Sequence, residues 1–147
     1  MKTNEKWLVY ITTILIDIAL IWILVTNKLN MYDTVFICTA IFVHLLFYIG
    51  LFFNNRQLLD ICHYMLFIMI ICSIFITNDM LMMLLLSLII VIYITWSLFN
   101  KCILNTAKQN VTNIVYELTG FNTVTLYNMV ILILLLKLTN IMQYNKM

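Results

Sequence analysis

An all-α, integral membrane helical bundle, with four or five transmembrane helices and one amphipathic surface helix, is the fold class that the sequence predicts. Three observations predict it. The 147 residues are 65% hydrophobic and only 10% charged, whereas a soluble domain carries about 25% charged residues. Four apolar runs of about 20 residues follow one another between short polar breaks, and about 20 residues is the helical length that crosses a bilayer core. The segment 100–122 is polar but carries an apolar stripe at helical spacing. The apolar runs consume most of the chain, so one membrane domain over 1–147 is expected, with no room for a separate soluble domain of ordinary size.

The first run, 7–26, follows a polar start that holds Lys2 and Lys6. It has no small-residue cleavage site and exceeds a signal-peptide core in length, so it reads as a retained anchor, with Trp7 and Tyr10 suited to the interface. The second run is 34–53, with Asp33 or Thr34 placed to cap it. After Asn54-Asn55-Arg56-Gln57 come 58–77 and 80–99, separated by Asn78-Asp79. So short a break predicts an antiparallel hairpin of these two spans, with Asn78 or Asp79 capping the second.

In 100–122, Leu104, Ala107, Val111, Ile114, Leu118 and Phe121 recur at spacings of 3, 4, 3, 4 and 3. This is one apolar face of an otherwise polar helix, with Gly120 placed to end it. The face rests on the bilayer or on neighbouring spans, or it docks a protein partner or a second copy. The final run, 124–142, makes a fifth span or a peripheral helix, because its dense core, 129–136, is short and Lys137 follows. With five spans, Lys2, Lys6, Arg56, Lys101 and Lys108 fall on one side, against Lys28 and Lys146 on the other, joined by Lys137 if it snorkels. This bias places the N-terminus in the cytoplasm. Asn110-Val111-Thr112 fits a glycosylation acceptor but then lies on the side where it goes unused.

Composition narrows function by exclusion. A net charge of +2, with dispersed basic residues, gives no nucleic-acid surface. Pro is absent and Gly occurs twice, so the broken helices common in transporters are disfavoured, and Gly-xxx-Gly crossings are unavailable. The four cysteines, Cys38, Cys62, Cys72 and Cys102, form no Cys-x-x-Cys pair and read as small hydrophobes. Arg occurs once and Ala three times, while Ile, Leu, Asn and Met abound; these are the marks of an AT-rich genome.

Ionisable residues inside the spans are costly and therefore informative. Asp17 lies mid-span. It is expected to be neutral and bonded to Thr12, Thr13 or another neighbour, to pair with Lys137 at a depth differing by roughly 5 Å, or to carry protons or ions. His44 and His63 invite a haem reading, but their depths differ by roughly 6 Å, so no cofactor is expected, and no metal. At the cytoplasmic end of the hairpin, Asp60 and His63 share one helix face and Trp96 and Asn100 another. With Lys101 they form an expected polar clamp fixing hairpin register. No nucleophile–base constellation stands out, so no catalytic residue is assigned and the protein is expected not to be an enzyme.

Asp60-x-x-His63, then Trp96, then Asn100-Lys101-Cys102-Ile103-Leu104 resembles a pattern in small uncharacterised multi-span membrane proteins of large, AT-rich DNA viruses. The resemblance covers the central third of the chain. It implies a virion or host-membrane protein and brings no active site with it. The functional expectation is a non-enzymatic structural or assembly component of a membrane, such as a viral internal membrane, meeting a partner or itself through Leu104, Ala107, Val111, Ile114 and Leu118. The alternatives are a small accessory subunit of an organellar respiratory or ATP-synthase complex, and an ion or proton pathway.

Overall fold

The structure, a computed structural model, describes residues 3–99 and 122–144. Its elements are α1 (Thr3–Thr26), α2 (Met31–Phe52), α3 (Arg56–Cys72), a 3₁₀ turn (Ser73–Phe75), α4 (Asp79–Phe99) and α5 (Thr123–Tyr144), with no strand among the described residues. Three helical stretches, Trp7–Thr26, Met31–Phe52 and Arg56–Phe75, are long and apolar enough to cross a membrane. Asp79–Thr95 and Thr123–Thr139 are shorter apolar helices. The segment 100–121, with the stripe from Leu104 to Leu118, lies outside the described residues, as do Asn100, Lys101 and the side chain of Trp96.

Helix boundaries follow local chemistry. The cap of α2 is Asn30, not Asp33 or Thr34: its side-chain oxygen accepts from the Asp33 N–H at 2.7 Å. The correction has a physical reason. Asp33 has a different use, given below, and Asn30 is left to satisfy the free N–H groups of the first turn. Asn54 ends α2 in the left-handed region at φ 51°, which Asn tolerates better than most residues. Asn55 then caps α3 through the Leu58 N–H. Asn78 caps α4, accepting from the Leu81 N–H at 3.0 Å.

The helices close into a ring. α1 packs on α2 and α4, α2 on α3, α3 on α5, and α5 on α4. This revises the hairpin expected of 58–77 and 80–99. α3 and α4 are consecutive in the chain, but the main neighbours of α3 are α2 and α5, and those of α4 are α5 and α1. A two-residue break dictates reversal of direction, not side-by-side packing. α5 takes the place between them, with Tyr127, Val130 and Leu134 buried in the shared core.

The core has two parts. The larger joins Leu20, Ile37, Leu81, Met82, Ile89 and Leu134 across four helices, and the smaller joins Val9, Val43, Phe47, Leu51, Leu59 and Cys62 at the other end. The outside is as apolar as the inside: Ile18, Trp22, Val25, Phe42, Ile68, Ile90 and Leu136 are each more than half exposed. Water would reject such a surface, and lipid accepts it. Gly50 lets α2 and α3 approach closely; a Cβ there would stand 2.9 Å from the Leu59 Cδ2. Without any Gly-xxx-Gly motif, a single glycine still provides one tight crossing.

Candidate functional site

Asp17 does not reach Lys137, Thr12 or Thr13. One of its carboxylate oxygens lies 2.6 Å from the Nδ1 of His44. The other accepts from the Tyr48 hydroxyl at 2.7 Å. His44 and Tyr48 are four residues apart on α2, so they present one face to the acid on α1. Tyr10, seven residues before Asp17, stacks on Tyr48 with ring centroids 5.9 Å apart. The threonines are otherwise engaged: Thr12 donates to the Leu8 carbonyl and Thr13 to the Val9 carbonyl, each at 2.8 Å. A Thr hydroxyl in a helix finds an acceptor one turn back more readily than a carboxylate one turn ahead.

Lys137 caps the opposite end of the bundle. Its ammonium donates to the Ile74 carbonyl at 2.9 Å and also to the Ile76 carbonyl. These carbonyls lie where the 3₁₀ turn runs out before α4, and a chain end without helical partners needs donors from elsewhere. Asp33, only 1% exposed, serves the same connection from α2. It accepts from the Thr77 N–H at 3.2 Å, the Thr77 hydroxyl at 2.9 Å and the Asn78 N–H at 3.0 Å. Asn30 adds a bond to the Thr77 hydroxyl at 2.8 Å. One anion thus holds the N–H groups of this turn and one cation holds its carbonyls. Tyr93 ties α4 to α5 through Asn128 at 2.8 Å.

A cavity of about 160 Å³ lies where the two core clusters meet, lined by α1 to α4 and by Tyr127 of α5. Both histidines line it. The sequence placed them at different depths and assigned only His63 to the hairpin clamp, so their common outlook was missed. Of the expected clamp, Asp60 and His63 sit on α3, where His63 faces this cavity; Asn100, Lys101 and the side chain of Trp96 lie outside the described residues. Among the described residues no group of three or more metal-ligating side chains comes together. No family model matches the chain, and neither does any curated protein or solved structure.

Sequence reasoning missed Tyr48, Asn30 and the true role of Asp33 at Thr77 and Asn78. A signal existed for the first: His44 and Tyr48 are the polar pair at helical spacing on the span adjacent to Asp17. Nothing local marked the reach of Asp33 across 44 residues to Thr77.

Proposed function

We propose that the protein is a non-enzymatic, multi-pass structural component of a membrane, acting as a stiff scaffold on which an assembly is built. One observation carries this reading. The interior ionisable groups Asp17, Asp33 and Lys137 are each engaged in ties between elements distant in sequence. An acid whose two oxygens are both taken by side chains of a neighbouring helix is arranged to hold that helix. In an apolar medium such ties are costly to leave half made, so they fix one arrangement of the spans.

On this reading all five helices cross the bilayer, since α4 and α5 complete the ring begun by the three longest apolar stretches. The N-terminus is cytoplasmic. The stripe Leu104, Ala107, Val111, Ile114 and Leu118 meets the partner or a second copy, and the membrane is a viral internal membrane or a host membrane. The test is purification of the full chain from its source membrane in mild detergent, with mass spectrometry of what accompanies it. Capsid or envelope proteins support the scaffold reading. Respiratory or ATP-synthase subunits replace it with an accessory-subunit reading, and a chain recovered alone overturns it.

A further inference from the structure

The cavity between the two core clusters is a different matter from the ties around it. Its threonines contribute little polarity: Thr12, Thr13 and Thr95 each donate to a carbonyl of their own helix at 2.8 Å. Its walls carry Phe36, Phe47, Phe67 and Tyr127, one or more from each of three helices. About 160 Å³ is the size of space that admits a single six-membered ring, since a dry cavity of about 150 Å³ binds benzene. Aromatic walls favour an aromatic occupant through edge and face contacts.

Of the two histidines that line the cavity, His44 is the one tied to a carboxylate. Asp17 occupies its Nδ1 and does not itself line the cavity. In the neutral imidazole, a carboxylate at Nδ1 places the proton on that nitrogen and leaves Nε2 as an acceptor. His44 is 5% exposed and lines the cavity, so a ligand there meets it sheltered from solvent. An acceptor in an apolar pocket selects a ligand that brings an O–H. The mouth can also be located. Leu8 on α1 and Val91 on α4 line the cavity while being 42% and 39% exposed, so the opening lies on the outer face of the bundle, between these two helices.

We propose that this cavity is a binding site for a hydroxylated aromatic ring carried on an apolar tail: the ring within the pocket, its hydroxyl donating to His44 Nε2, and the tail leaving between α1 and α4. The proposed membrane placement supplies only the route of entry; the site itself depends on the packing of α1 to α5.

The test is equilibrium dialysis of 4-heptylphenol and heptylbenzene against the purified full chain in dodecylmaltoside micelles, with protein-free micelles as the partition control. One phenol should bind per chain, about tenfold more tightly than heptylbenzene, the worth of one hydrogen bond in a dry site. Val91→Trp, a change at the exposed mouth, should reduce binding of both probes. His44→Phe should bring the phenol down to the level of the hydrocarbon. Equal binding of the two probes to the parent chain overturns the proposal, as does unchanged binding in Val91→Trp. These outcomes leave the scaffold reading untouched, because that reading is judged by co-purification.

Discussion

Replacing Asp33 by alanine should cost the bundle more than any other single polar deletion. Asp33 is 1% exposed and its carboxylate accepts three hydrogen bonds, two of them from the backbone N–H groups of Thr77 and Asn78 just before α4. Hydrogen bonds between helices in a membrane average about 0.6 kcal/mol, and buried bonds to a charged group reach about 1.5 kcal/mol or more. Three bonds then place Asp33→Ala about 2–4 kcal/mol below the parent chain. Asparagine is the informative control. Its one carbonyl oxygen can keep the two donors now shared by one carboxylate oxygen, while its NH₂ faces the Thr77 N–H, so Asp33→Asn should lose about half as much. The assay is reversible unfolding in mixed micelles of increasing SDS content, followed by circular dichroism. An Asp33→Ala variant within about 0.5 kcal/mol of the parent would refute the reasoning, since three lost bonds cannot cost less than one.

Three further outcomes are expected. Lys137→Met, close in length but without donors, should destabilise by about 1–2 kcal/mol and speed amide exchange at 79–82, the start of α4; unchanged exchange there would show that the ammonium does not hold the connection. A double-mutant cycle of Asp17→Asn with Tyr48→Phe should return a coupling of about 1 kcal/mol, whereas Asp17→Asn with Lys137→Met should couple by nearly nothing; the reverse ranking would restore the Asp17–Lys137 pair. Gly50→Val should cost about 1–3 kcal/mol by overpacking against Leu59, and Gly50→Ala clearly less, because the nearest atom is the movable end of a leucine; a Val variant as stable as the parent would mean that α2 and α3 do not approach so closely.

Helix existence was legible in the sequence because it depends on hydropathy summed over about 20 residues, a quantity that neighbours in space hardly alter. Asn78 was legible as a cap because capping is local. Pairing was not. Consecutive helices such as α3 and α4 invite a hairpin, yet the choice of neighbour is decided by side-chain packing, here by Tyr127, Val130 and Leu134 of the later α5. The polar site was half legible. Asp17 stood out as a buried acid in need of partners, but sequence proximity offered Thr12 and Thr13 and depth offered Lys137. Depth cannot distinguish Lys137 from Tyr48, since it says nothing of the direction a side chain faces around the helix axis. Asp33 read as a cap because capping and its actual role use the same chemistry, acceptance from free N–H groups, and only the fold shows which N–H groups are near.

The seat of α5 between α3 and α4 has a consequence for biogenesis. Helices leave the ribosome in chain order, so on the proposed membrane placement α1 to α4 enter the bilayer as an open arc whose two flanks, on α3 and α4, have no mate. The Ile74 and Ile76 carbonyls then wait for a lysine that is made more than 60 residues later. Until it arrives, the arc is the form of the chain most able to take up a foreign helix or to be removed by quality control. Synthesis of α5 is therefore the step that commits the protein to its own bundle.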